Sequence, residues 1–125
     1  MFGIRKAAQA LEAVDRAKAD MVKAAQGGGN IRELNHAAQQ VAFWEGYADL
    51  LAEVEALDGA VNGVEGIQKQ FVLMQHVAEV LARGADDEWS GRANEIRRAR
   101  FDGVRAAANV AIKAIQLDAE AAALG

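Results

Sequence analysis

The chain has 125 residues, contains no proline and no cysteine, and carries a formal net charge of −4 at neutral pH. The lack of cysteine excludes disulfides, thiolate nucleophiles and cysteine zinc sites, and the acidic balance argues against a general affinity for nucleic acid or anionic lipid. Without proline, the commonest helix breaker, and with abundant alanine, the best helix former, the chain is predicted to be all-α. Its length predicts one domain over residues 1–125.

The first helix is predicted from about Phe2 to Gln26. Residues three and four apart give it a heptad-like seam, which comprises Ile4, Ala7, Leu11, Val14, Lys18, Met21 and Ala25. We expect this helix to pair antiparallel with the next one. The glycine run 27–29 between them predicts a helix-to-helix turn, because the sequence that follows lacks the lysine of a phosphate-binding loop. Asn30 is a suitable N-cap for the second helix.

The second helix is predicted from Ile31 to about Leu57 and forms the centre of the core. Two neighbouring apolar stripes give it a wide apolar face, so it should contact at least two other helices. Its bulkiest part is the cluster Phe43, Trp44 and Tyr47. Gly46 lies inside this cluster and costs the helix about 1 kcal/mol relative to alanine. We therefore expect another backbone to cross closely at Gly46.

The last two helices are predicted at 65–83 and 88–123, with Gly84 as a left-handed stop and Asp86 or Asp87 as the cap of the last helix. The last helix would be about 54 Å long. Three shorter helices are expected to cover only part of its apolar stripe, so we expect the surplus to face another molecule. The predicted fold is an antiparallel bundle of about four helices with a long C-terminal helix.

Few residues are suited to covalent catalysis, since Ser90 is the sole serine and threonine is absent. Glu33 and His36 form a Glu-x-x-His motif on one helix face. This motif resembles one half of the site of ferritin-like di-iron bundles. The resemblance implies a metal-dependent oxidoreductase as the alternative function, although the family repeats the motif on a second helix and this chain does not.

Charge is distributed unevenly along the chain. Residues 92–113 include six basic and two acidic side chains, whereas residues 45–65 include six acidic side chains and neither lysine nor arginine. The first segment could form a nucleic-acid patch, or the two segments could be complementary surfaces of packed helices or of subunits. The acidic total favours complementary surfaces.

Trp44-Glu45-Gly46 and Trp89-Ser90-Gly91 both read Trp-x-Gly. The second copy, at a predicted turn, resembles the tripeptide of the WXG100 family of small secreted helical hairpins. That resemblance implies a helical protein exported without a signal peptide. The chain departs from the family in its four predicted helices and in lacking the C-terminal Tyr-x-x-x-Asp/Glu signal, because Tyr47 is its only tyrosine.

We predict a non-catalytic helical interaction or assembly protein that forms a homo-oligomer or binds another protein. No catalytic residue, cofactor, metal or nucleic acid is expected. A membrane is not expected either, since no apolar run approaches the ~20 residues of a membrane span. The description fits structural subunits of phage particles and secreted adaptors. The start of the chain does not read as a signal peptide, which leaves the cytoplasm, a virion or signal-independent secretion. The expected contact surface is on the last helix, with apolar anchors and an arginine rim: Trp89, Ile112, Ile115, Arg97, Arg98 and Arg100.

Overall fold

The computed structural model describes residues 4–28, 30–61, 66–85 and 92–124. Within these ranges the chain forms four helices and no strand, as predicted. They are α1 (Ile4–Gln26), α2 (Ile31–Ala60), α3 (Gly66–Ala85) and α4 (Arg92–Leu124). The helix α4 is unbroken at Gly103 and about 50 Å long. Gly84 lies inside α3 and is not the predicted helix stop, and the proposed caps Asp86 and Asp87 fall outside the described residues.

The turn between α1 and α2 has the predicted chemistry. Gly28 adopts a φ of 71°, a left-handed conformation that glycine reaches without a Cβ clash. The side chain of Asn30 accepts a hydrogen bond from the backbone N–H of Glu33 at 2.9 Å. Asn30 therefore caps α2 and satisfies one of the N–H groups that have no partner within the helix.

Helices α2 and α4 cross backbone to backbone at two glycines, which confirms the close crossing expected at Gly46. A Cβ atom added to Gly46 would overlap the carbonyl oxygen of Arg100, and one added to Gly103 would overlap the carbonyl oxygen of Phe43. The contact is reciprocal, since each glycine faces a carbonyl one turn before the other glycine. Only glycine allows two helices to approach this closely, so both positions are fixed by the crossing.

The contacts also give the helix directions. Residue numbers rise together along α2 and α4, from the Asn35–Glu95 hydrogen bond to the glycine crossing, so these two helices run parallel. Pairs between α2 and α3 run in opposite order, with Asp58 beside Lys69 and Glu53 beside His76. Consecutive helices are therefore antiparallel, as in the predicted bundle.

The helix α2 is central, as predicted. It packs against α1, α3 and α4, whereas the backbone of α1 approaches no described helix except α2. One hydrophobic core collects side chains from all four helices. Its largest fully buried members are Leu50, Leu51, Val54 and Val77.

The predicted seam of α1 is wrong at most of its positions. The buried face is almost entirely alanine and consists of Ala7, Ala10, Ala13, Val14 and Ala17. Leu11 is 57% exposed and Met21 is 36% exposed, and Lys18 and Ala25 are also exposed. Ala13 and Ala17 also line an open cleft between α1 and α2, together with Trp44 of α2. The large aliphatic side chains of α1 consequently point outward.

Candidate interaction surfaces

Acidic side chains of α2 meet basic groups from α3 and α4. Arg100 of α4 forms an ion pair with Asp49 beside the glycine crossing. From α3, Lys69 Nζ lies 2.6 Å from Asp58 Oδ1, and His76 Nε2 lies 3.5 Å from Glu53 Oε2. These contacts support the interpretation of the uneven charge as complementary surfaces of packed helices.

The three predicted rim arginines differ in their surroundings. Arg97 and Arg98 are exposed, and no ion pair involving either is found among the described residues. Arg100 is committed to Asp49 within the subunit, although its side chain remains 48% exposed. A further arginine, Arg105, lies over the ring of Phe101 with its guanidinium carbon 6.0 Å from the centroid, within the range of a cation–π contact.

The predicted apolar anchors of α4 are largely covered inside the subunit. Ile115 is 3% exposed and belongs to the core, and Ile112 is partly buried against that core. Trp89 lies outside the described residues. The buried face of α4 is completed by Ala107, Ala108, Ala111 and Ala114. Helices α2 and α3 thus shield most of the stripe that the sequence suggested was in surplus, and Leu117 is the one large apolar side chain of α4 that stands more than half exposed among the described residues.

An open cleft of about 360 Å³ lies where α2, α3 and α4 meet. Its lining combines two carboxylates, two arginines and three aliphatic side chains: Asp49, Glu53, Arg83, Arg100, Leu50, Val80 and Val104. The Arg100–Asp49 pair crosses this cleft, so two of its charges already satisfy each other. Among the described residues, the lining has no serine, threonine or cysteine and therefore no side chain of the kinds that commonly attack a substrate.

Glu33 and His36 are both exposed near the start of α2. Within the described ranges, no group of three or more His, Asp or Glu side chains is placed to hold a metal ion. Their neighbour Asn35 instead donates a hydrogen bond from Nδ2 to Glu95 Oε2 at 3.2 Å, which ties α2 to the start of α4. The Glu-x-x-His motif thus lacks a convergent third ligand in the part of the chain that the structure describes.

Trp44-Glu45-Gly46 lies in the middle of α2, far from any turn. Trp44 packs edge-on against Phe43 and Tyr47, at centroid distances of 5.1 and 5.3 Å, and Gly46 faces α4. This copy of the tripeptide is therefore a packing feature of the core. The other copy, at Trp89, falls outside the described residues.

Sequence reasoning missed the exposed aliphatic side chains of α1. Leu11 and Val22 are 57% and 54% exposed, and they lie eleven residues, or about three helical turns, apart on the same side of the helix. Ile31, Phe71 and Leu117 are also exposed, but each is on a different helix. Isolated surface apolar residues are normal, whereas a row on one face indicates a contact surface. The spacing of the alanines in α1 is the sequence feature that could have revealed these exposed side chains. It marks a second apolar face, which is made of smaller residues.

No protein-family model matches the chain, and comparisons with curated proteins and with solved structures find no significant similarity. Among the described residues, no helix combines the length and apolarity required to cross a membrane.

Proposed function

We propose that this chain is a non-catalytic helical assembly protein that associates with copies of itself. The observation that supports the proposal is the orientation of α1, which turns alanines toward α2 and leaves Leu11 and Val22 more than half exposed. Exposed aliphatic surface on one helix face is stabilised by burial against a second apolar surface. A closed homodimer is the commonest assembly that provides such burial.

The described charges fit this function better than they fit catalysis. The ion pairs of Arg100 and Lys69 link helices of the same subunit, so these two basic residues serve packing. The described lining of the cleft at the junction of α2, α3 and α4 contains no nucleophile of the serine, threonine or cysteine type. We also retain Arg97 and Arg98 as a solvent-facing basic rim available to an acidic partner surface.

The decisive measurement is the molar mass of the untagged protein by analytical ultracentrifugation over a wide range of subunit concentrations. We expect a reversible increase from one subunit to two. A mass of one subunit at every concentration would contradict the proposal. Elemental analysis of the same protein tests the oxidoreductase alternative. A stoichiometric transition metal would favour that alternative, because an assembly protein has no need of metal ligands.

A further inference from the structure

The solvent side of α1 repeats with the period of a coiled-coil seam. Its residues are spaced alternately three and four apart, the pattern that lines up side chains along one helix face. We name this set the outer stripe, which consists of Ala8, Leu11, Asp15, Lys18, Val22 and Ala25. All six are exposed. The outer stripe lies about 110° around the helix axis from the alanine face that contacts α2.

The outer stripe is complementary to itself when read backwards. Reversed, it presents alanine, valine, lysine, aspartate, leucine and alanine in the same spacing. An antiparallel neighbour related by a twofold axis near Arg16 and Ala17 therefore matches it at every position. Leu11 faces Val22 of the second copy, Asp15 faces Lys18 of the second copy, and the outer alanines face each other.

We propose that two copies of this chain form a twofold-symmetric dimer through antiparallel contact of their outer stripes. This inference rests on the proposed function and specifies its partner surface. The occupant is a second copy because both the apolar and the charged layers are self-complementary, as an isologous interface requires. A parallel arrangement would instead place Asp15 against Asp15 and Lys18 against Lys18, and like charges facing each other oppose association.

Different residues of the outer stripe contribute differently to the proposed contact. Leu11 and Val22 supply apolar burial in two symmetry-related layers, while Ala8 and Ala25 allow the helix ends to approach closely. The central charged layers weaken the contact relative to an all-apolar seam, but they specify its register and direction, which is the known role of polar residues in coiled-coil cores. The contact extends over about 26 Å of helix between residues 8 and 25.

Other exposed apolar residues do not offer such a match. Ile31 is the first residue of α2, and Phe71 and Leu117 are each the only strongly exposed large apolar side chain described on their helix. Furthermore, α1 has no described backbone neighbour except α2, so no described helix shields the outer stripe from a second subunit.

Charge reversal provides the test, with the dimer dissociation constant measured by analytical ultracentrifugation. Asp15→Lys and Lys18→Asp should each weaken the homodimer at least about tenfold, because every charged layer becomes repulsive. An equimolar mixture of the two variants should form a heterodimer of near wild-type affinity, and the double variant should regain the homodimer. Asp102→Lys and Lys113→Asp, on exposed positions of α4, are the matched controls and should show no such pairing.

Thiol trapping tests the register independently, because the chain has no cysteine of its own. A mixture of Leu11→Cys and Val22→Cys should form a disulfide-linked heterodimer under mild oxidation, whereas each variant alone should resist crosslinking, since like positions lie about 16 Å apart along the axis. Equal crosslinking of the single variants would overturn the antiparallel register. Wild-type dimerisation that ignores both charge reversals would overturn the α1 interface and leave self-association intact, while a strictly monomeric wild type would overturn both.

Discussion

The α2–α4 crossing and the α1–α2 hairpin both use small residues, but with opposite consequences for the surface. At the crossing, Gly46 and Gly103 let two backbones touch, and the neighbouring aromatic side chains Trp44 and Tyr47 pack against the core. In the hairpin, alanines fill the interface and the large side chains Leu11 and Val22 turn to solvent. The small residues of the α2–α4 crossing thus serve packing alone. Those of the α1–α2 hairpin also leave the large apolar side chains of α1 on the surface.

The largest effect should come from Gly103→Ala. Its Cβ would overlap the carbonyl oxygen of Phe43 and lie 2.8 Å from the carbonyl carbon. Because the obstacle is helix backbone, which cannot rotate away, we expect a loss near the upper end of the about 1–3 kcal/mol for overpacking. Urea denaturation measures this loss as a lower midpoint.

The control is Gly59→Ala on α2, where a Cβ would have nothing within 4 Å. We expect this change to stabilise the fold by about 0.5–1 kcal/mol through helix propensity. Equal responses at the two glycines would show that the crossing is looser than described.

The hairpin is tested next by Ala10→Leu. Ala10 is 3% exposed on the face toward α2, so three added carbon atoms must displace α1. We expect about 2 kcal/mol of destabilisation by overpacking. Leu11→Ala, at the adjacent exposed position, is the matched control and should change the free energy of unfolding of the monomer by less than about 0.5 kcal/mol. Similar losses at both positions would contradict the orientation of α1.

The turn of the hairpin should contribute less. Asn30→Ala removes the acceptor of the 2.9 Å hydrogen bond from the Glu33 N–H, and we expect a cost of about 1 kcal/mol. Asn30→Asp retains the acceptor and should fold as the wild type does. Thermal unfolding followed by circular dichroism would measure both, and an unchanged Asn30→Ala midpoint would show that the cap is dispensable.

The smallest effect is expected for the ion pair at the rim of the crossing. Arg100 and Asp49 have side chains 48% and 58% exposed, so solvent screens their attraction. A double-mutant cycle with alanine at both positions should give a coupling of about 0.2–1 kcal/mol. A coupling of several kcal/mol would mean that this pair, rather than the glycines, holds α2 and α4 together.

The sequence was sufficient for the helix framework and for the role of Gly46, because glycine inside a helix has a cost that a close crossing explains. It was misleading for α1, where the large residues Leu11 and Met21 were assigned to the interface and alanines occupy it instead. Alanine is apolar enough to be buried and small enough to be exposed, so periodicity alone does not decide between two faces of an alanine-rich helix. In the structure the alanine face of α1 is buried, and Leu11 and Val22 are exposed.

The contact surface predicted on α4 also shows that periodicity alone does not decide which side chains are buried. The arginines and isoleucines of α4 are predicted as the contact surface because a long amphipathic helix is expected to carry more apolar stripe than its own chain covers. The sequence does not reveal that Ile115 is 3% exposed and belongs to the core of the subunit. Conversely, the reversed symmetry of the outer stripe is present in the sequence, but it becomes meaningful only once those six positions are known to be exposed.

The attachment of α1 to a single neighbour has a dynamic consequence. A helix held on one side can open locally while the remainder of the protein stays folded, so its amide hydrogens should exchange with deuterium before those of α2 and α4. Binding of a second subunit to the outer stripe would give α1 a second neighbour and slow that exchange. Protection of α1 should therefore increase with protein concentration, which would make this helix a direct reporter of assembly.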